Sequence, residues 1–381
     1  MKLQNLTLEN FRNHKSTSFD CSQGVNVFLG DNGEGKTNIL EGISYLCLSK
    51  SFYAANDSIV MNVERNDFHV KGNFLSDADI KYYVLISYFS DQKKKEVTVN
   101  KSKIEKASAL IGQFPIVILA PEQNMITLGP PADRRRFVDF IIAQSSRAYL
   151  ENLLDYRKIL KHRNIILSEI RSKKTTNKDL LEPWNTSLLQ TGTTIMLSRK
   201  KFTDEFKSVI KHAYRQLAGE SEKPDMFYEP SVKMDGENID YLKNKFNSMI
   251  EKNLQEDLQT GFTSVGPHRD EFVFTVNNLQ ARSHASQGQH KTLLVALKIA
   301  EFFYLKERCS ETPILLMDDV LSELDMNRSQ RLLEETSKLG QIFITSTDER
   351  ALKWLPVTKT ESRKIYINKG KIDYIENIKH V

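Results

Sequence analysis

Cysteine is scarce: three residues, Cys21, Cys47 and Cys309, in a chain of 381. They lie far apart and form neither a CxxC pair nor a zinc spacing, which argues against a disulfide framework or a structural zinc. Such usage fits a reducing cytoplasm. No stretch approaches about 18 consecutive apolar residues, so a membrane-spanning helix is excluded. The opening MKLQNLTLENFRNHKS lacks an unbroken apolar run of signal-peptide length, which argues against secretion. The hydrolase elbow GxSxG is missing. So are internal repeats, low-complexity tracts and any base-reading module, and the last points away from sequence-specific nucleic-acid recognition.

Charge of one sign is not in large excess overall, with 54 Lys and Arg against 49 Asp and Glu. Its distribution is uneven. Residues 134–215 carry 18 Lys and Arg against 8 Asp and Glu, a surplus of +10, so the rest of the chain nets −5. A basic middle of this kind points to an acidic polymer as partner. The hydrophobic fraction of 40% excludes a disordered chain. The length suits a large domain with an insertion, or two to three domains, and is ample for a sizeable core.

Weak alternation at 3–8 and the apolar run Val25–Leu29 read as strands, and 38–48 as a helix with Ile39, Leu40, Ile43, Leu46 and Cys47 on one face. Residues 68–74, 80–89 and 95–100 read as antiparallel strands, and 114–119 as an apolar strand closed by Ala-Pro. After Pro130-Pro131 the period becomes helical, over about 133–172 and 178–218, with a polar turn at 173–177. This reads as an antiparallel helical arm. Residues 219–238 read as a loop and 239–258 as a helix. Then come a strand at 271–276, a helix from Ser286 to about Glu307, a buried strand 313–317, a helix from about Asn327, a strand 341–345, and a hairpin turning at Asn368-Lys369-Gly370.

The sharpest motif is Gly30-Asp31-Asn32-Gly33-Glu34-Gly35-Lys36-Thr37, a GxxxxGK[ST] loop between a strand and a helix. Its glycines let backbone N–H groups converge on a polyphosphate, and the following helix offers its N-terminus to the same charge. Lys36 would reach the β- and γ-phosphates of ATP, and the Thr37 hydroxyl would ligate Mg²⁺. The strand 314–317 then delivers Asp318 and Asp319 at its carboxyl end. Asp318 fits a Mg²⁺ ligand, and Asp319 fits a group that orients or deprotonates the attacking water. Asp319 as a plain solvent-facing acid is the competing reading. Ser286-Gln287-Gly288-Gln289 before a helix resembles the ABC signature, in which serine and glycine contact the γ-phosphate held by the other protomer. Alone it would read as a simple serine N-cap. Ser322-Glu323-Leu324-Asp325 lies at D-loop spacing after Asp319, and Thr347 follows the next strand where a switch residue belongs. Four elements in this order make Lys36, Asp319 and Ser286 the catalytic candidates.

These residues resemble the RecF family, bacterial recombination mediator ATPases of the SMC-like ABC group. The likeness rests on Leu8–Asn13, the continuation Thr37–Ile43, Pro121-Glu122, Gly129-Pro130-Pro131, Arg134–Asp139, Gly266–Asp270 and Met317–Asp325, and it runs nearly end to end. His290 and Lys291 stand where members often have Gln-Arg, and Tyr53 where they often have Arg. The resemblance implies that Arg12 contacts nucleotide phosphate, with a surface loop arginine as the competing reading. Asn38 lines the site or is helix-surface polarity, and Gln123 sits where a Q-loop glutamine would. It further implies an ATP-dependent homodimer that binds double-stranded DNA and ssDNA–dsDNA junctions, works with RecR and RecO to load RecA, hydrolyses ATP slowly and resides in the cytoplasm with the nucleoid.

Arg134, Arg135 and Arg136 would contact DNA phosphate or pair across the lobe and arm. Lys158, Lys161, Arg163, Arg171, Lys173, Lys174, Lys178, Arg199, Lys200 and Lys201 would line a DNA groove, or form a solvated helix face. His268-Arg269 reads as structural or interfacial. The expectation is thus an α/β ABC-type P-loop ATPase head assembled from both chain ends, residues 1–130 and 259–381, with a helical arm lobe inserted at 131–258. A transport-type ABC ATPase and an ATP-switched DNA scaffold without turnover are the rivals.

Overall fold

Leu3, Leu6, Leu8 and Phe11 of the strand Lys2–Phe11 are buried in an antiparallel sheet, the alternation being interrupted by a register shift between Leu3 and Asn5 and by the left-handed Asn10. Its neighbours are His14–Asp20 on one edge and Asp67–Leu75 on the other, followed in order by Lys81–Phe89, Lys94–Val99 and Ser102–Lys103. A second six-stranded sheet holds Val25–Leu29 at its centre, in parallel register with Ile342–Ser346 and with Ser362–Asn368. Ile314–Met317 and Ile116–Leu119 continue it in parallel, and Lys371–Ile378 closes the far edge antiparallel. The near-continuous apolar runs of its central strands follow from this, because a parallel strand is covered on both faces. The computed structural model describes residues 1–54, 56–234, 236, 238–323, 326–349 and 361–378.

The chain divides into two units. The first comprises Met1–Asn124, His212–Glu220 and Lys291–Val381 and contains both six-stranded sheets. Its helix Lys36–Leu48 packs on the antiparallel sheet, where Tyr45 meets Phe11 and Phe68 edge to face at 5.8 and 5.5 Å. This cluster anchors the helix from below, and such pairs add about 0.5–1.5 kcal/mol each beyond area burial.

The second unit comprises Met125–Lys211 and Ser221–His290. It contains the helices Pro131–Ser145 and Arg147–Arg171, the greater part of Glu182–Ala218, and Ile239–Lys252. Three antiparallel strands, Leu279–Gln280, Glu271–Val276 and Pro224–Glu229, complete it. The expected helix over 133–172 is in fact two. Ser146 leaves the helical region at φ −143° and its hydroxyl accepts the Tyr149 N–H, capping the second helix. The expected loop at 219–238 contains the strand Pro224–Glu229, whose Met226 is buried against the sheet.

Candidate functional site

The phosphate loop sits at the carboxyl end of Val25–Leu29 and opens into Lys36–Leu48. Two of its glycines are required by geometry. Gly30 adopts φ +153°, and a Cβ there would lie 2.4 Å from the Ile367 carbonyl oxygen. Gly35 adopts φ +106°, where a Cβ would strike Asn13 and His14. The Lys36 ammonium donates to the carbonyls of Gly30 and Asp31, both at 2.7 Å, and so folds back over the loop's own mouth. Burial lowers its pKa, opposed by the carboxylates of Asp319, Asp318, Asp31 and Glu34.

Thr37 and Asp318 are 281 residues apart in the chain and touch in space. The Thr37 hydroxyl donates to the Asp318 carboxylate at 2.9 Å. Thr345 donates to the same group at 2.6 Å and Tyr53 at 2.5 Å. Three hydroxyls thus compensate a carboxylate that is only 3% exposed. Asp319 adopts the left-handed φ of +47°, a conformation tolerated by Asp but costing of order 1–3 kcal/mol when imposed. Its N–H donates to Thr345 at 2.9 Å, and nothing among the described residues donates to its carboxylate. The acid is thereby held out of the strand line and left available.

Around this pair, Arg12 makes a two-pronged bond to the buried Glu41, at 2.8 Å on each arm, and donates to the Ile59 carbonyl. Asn38 donates to Asn13, and Asn13 donates to the Glu34 carbonyl. His14 donates through Nε2 to the Gly35 carbonyl at 3.0 Å, and burial lowers its pKa. The tip of the last hairpin closes the loop from the other side. Gly370 N–H donates to the Glu34 carbonyl at 2.9 Å and Lys369 N–H to the Glu34 carboxylate. Asp31, Asn32 and Gly33 are exposed at the mouth. Gln123 is half-buried in the short helix Pro121–Asn124, and Thr347 is exposed just beyond Ile342–Ser346. Leu324 and Asp325 of the D-loop stretch lie outside the described residues. Sequence reasoning foresaw the hairpin but gave Thr345, Glu41 and the hairpin tip no part in the site. Only a buried polar residue at a strand end marked the first, and nothing local marked the others.

The signature residues lie in the second unit. Ser286 caps the helix Gln287–Arg308: its hydroxyl accepts the Gln289 N–H at 3.2 Å, and the Gln289 side chain accepts the Ser286 N–H at 2.9 Å. This is a reciprocal capping box, so the cap reading of Ser286 holds here. Ser286 is exposed, with Gly288 half-buried beside it.

Three of the expected DNA contacts are corrected by burial. Arg163 is 0% exposed and bonds Asp257, Thr263 and Asn185 at 2.8, 2.6 and 2.7 Å. Arg199 is buried between Asp139 and Asp270. Arg134 is buried on Glu271, with Nε and Nη2 each at 2.8 Å. Unpaired in a low-dielectric interior these charges would be very costly, and each has found its carboxylate within the unit. Arg136, Lys158, Lys161, Arg171, Lys173, Lys174, Lys178 and Lys201 remain exposed, while Lys200 and Arg135 are half-buried.

A glycine loop between a parallel strand and a helix, with two acids at the end of the next-but-one strand of the same sheet, defines the ABC-type P-loop ATPase head. A family model described as RecF/RecN/SMC N terminal domain matches residues 2–368. The chain is 36% identical over 354 residues to the DNA replication and repair protein RecF of Chloroherpeton thalassium, covering 92% of this chain and 96% of that one. It is 38% identical over 361 residues to the protein of that name from Prosthecochloris aestuarii, covering 93% and 96%. A solved structure described as the recombination mediator protein RecF-ATP in RecFOR pathway superposes with TM-score 0.89 at 29% identity, covering 99% of this chain and 98% of that one. The Smc head domain of Pyrococcus furiosus shares the fold at TM-score 0.56 and 13% identity, covering 99% and 96%. The chain belongs to the RecF family.

Proposed function

We propose that this chain is an ATP-dependent DNA clamp acting in the recombinational repair of gaps, with ATP as substrate and a homodimer as the closed state. The observation that carries this is the meeting of Thr37 and Asp318 beneath the phosphate loop. Their hydroxyl and carboxylate are hard oxygen donors, the chemistry Mg²⁺ selects, and two protein ligands leave room for phosphate oxygens and water. Bound there, Mg²⁺ would neutralise charge on the β- and γ-phosphates. Lys36 would exchange its two loop carbonyls for phosphate, and the loop N–H groups with Asn38 would hold the polyphosphate. Asp319 orients the attacking water and takes its proton as the bond to the leaving oxygen breaks.

Ser286, Gly288 and Gln289 of a second copy would complete the site from the opposite side, since a capped helix N-terminus favours an anion. Arg12 is tied to Glu41 of the helix that follows the loop and is the candidate for a phosphate contact. Opened by slow hydrolysis, the dimer would release double-stranded DNA or an ssDNA–dsDNA junction. The exposed arm cations Arg136, Lys158, Lys161, Lys173 and Lys174 would track its phosphates. The helix Glu182–Ala218, 37 residues long, spans about 55 Å, too short for a long coiled coil. RecR, RecO and RecA as partners, and a cytoplasmic, nucleoid-associated location, follow from the family; among the described residues no helix is long and apolar enough to cross a membrane.

Fluorescence anisotropy with a labelled gapped duplex tests the proposal. ATP should tighten binding about tenfold or more for the native chain and leave Lys36→Ala unchanged. DNA binding that is indifferent to ATP, or tightened equally in Lys36→Ala, would remove it.

A further inference from the structure

The second unit contains a cavity of about 190 Å³ whose lining carries four guanidinium groups, Arg135, Arg136, Arg157 and Arg199, against one carboxylate, Asp139. That carboxylate is already compensated. It accepts Arg199 Nε at 3.0 Å and Nη2 at 3.1 Å and the Tyr149 hydroxyl at 2.6 Å. Arg199 itself is spent on the floor, donating also to Asp270 at 2.9 Å and to the Pro267 carbonyl at 2.6 Å.

The other three guanidiniums are differently placed. Arg135 is half-buried, and its one hydrogen bond among the described residues goes to the Asp270 backbone carbonyl at 2.7 Å. No described carboxylate pairs with it. Arg157 lies at the limit of ion pairing, 4.0 Å from Asp139, with its side chain 59% exposed. Arg136 stands at the rim, 77% exposed and bonded to Asp133 at 3.1 Å. His268 contributes no charge. Its Nε2–H donates to the Thr263 carbonyl at 2.9 Å, so Nδ1 accepts the Tyr156 hydroxyl at 2.7 Å, and burial holds the imidazole at about 4.

An arginine half out of water, under the influence of Asp270, Glu271 and Asp139 but ion-paired with none of them, and lining the same cavity as a second arginine with donors to spare, is a poor arrangement for the protein alone. It is a good one for a tetrahedral dianion, whose oxygens can each accept from a guanidinium fork. We propose that this cavity binds a single phosphate group, held between Arg135 and Arg157 with Arg136 at the rim. The volume is below the roughly 300–1,000 Å³ of sites that enclose a drug-sized ligand, so the group enters alone or at the end of a larger molecule. A phosphomonoester at a nucleic-acid end and free inorganic phosphate share this chemistry. The site does not depend on the clamp reading, although it gives two of the basic residues a defined target.

The experiment uses the full chain carrying Lys36→Ala, so that the phosphate loop does not contribute, and titrates inorganic phosphate by calorimetry. Binding should be present and should weaken about tenfold or more on adding Arg157→Gln, an exposed substitution that the fold tolerates. Arg135→Lys, which keeps the charge and loses the fork, should weaken it by an intermediate factor. No phosphate binding in the Lys36→Ala chain, or binding that neither substitution alters, would overturn the proposal. Duplexes bearing a 5′-phosphate or a 5′-hydroxyl separate the two sources. A preference for the phosphate that Arg157→Gln abolishes assigns the site to a DNA end, and phosphate binding without such a preference assigns it to a free anion. Loss of all duplex binding with phosphate binding retained would count against the clamp and leave this site standing.

Discussion

Replacing Arg163 separates two physical roles. On the helix Arg147–Arg171 it belongs to the basic stretch, and a phosphate contact would make its loss a binding defect. In the structure its side chain is 0% exposed, as is that of Asp257, and their ion pair closes at 2.8 Å. Asp257 also accepts the Ser264 N–H at 2.9 Å and its hydroxyl at 2.7 Å, so it tolerates no movement toward water. Arg163→Met leaves that carboxylate buried with its positive partner gone. Breaking a buried pair from one side costs about 3–5 kcal/mol, against about 0–1 kcal/mol for an exposed pair. At about 2–4 °C per kcal/mol for a unit of this size, the melting temperature should fall by roughly 6–20 °C. Adding Asp257→Asn keeps the acceptor for Ser264 and removes the orphaned charge, and should recover most of the loss. Circular dichroism melts of the three chains measure this, with duplex binding followed over a salt series. A variant as stable as the native chain, whose binding loses about one unit of salt slope, would refute the structural role and restore a phosphate contact.

Acid should destabilise the fold through its buried imidazoles. Burial lowers His14 and brings His268 from 6.5 to about 4, so below 6.5 the unfolded chain binds protons first, and stability present above that pH is lost as the pH falls toward 4. Urea titrations at pH 7 and pH 5 should show this loss, smaller in His268→Gln; equal losses would exclude His268 as its source. Tyr53→Phe takes one hydroxyl donor from Asp318, which Mg²⁺ must otherwise displace, and should tighten Mg²⁺-dependent nucleotide binding about fivefold. Unchanged or weaker binding would mean that the hydroxyl positions the carboxylate instead. Asp319→Asn should slow hydrolysis about 100-fold or more while ATP binding persists, and near-native turnover would show that another group handles the water.

What the sequence made legible was what local physics decides. The strand, glycine loop and helix at 25–48 are written in neighbouring residues, and so is the strand that ends in Asp318 and Asp319. The strand His14–Asp20 escaped notice because only Phe19 in it is strongly apolar; pairing with Lys2–Phe11 supplies its order. Pro224 and its polar surroundings masked a strand that exists by pairing with Glu271–Val276. The break at Ser146 had a signal in Ser145-Ser146, which the regular helical spacing on both sides outweighed. Burial of Arg163 and Arg199 was not readable. Their partners Asp257 and Asp139 lie 94 and 60 residues away, and a charge run looks the same whether its members are solvated or paired. The three hydroxyls on Asp318 were hidden for the same reason, since Thr37, Tyr53 and Thr345 come from three separate segments.

Sedimentation velocity of the purified chain, with and without ATP and Mg²⁺ and with a gapped duplex at two salt concentrations, bears most directly on the clamp. The expected result is a dimer that forms with ATP, fails to form in Ser286→Arg, and holds DNA less tightly as salt rises. A monomer under every condition, or a dimer indifferent to ATP, would contradict a site completed by the signature helix of a second copy.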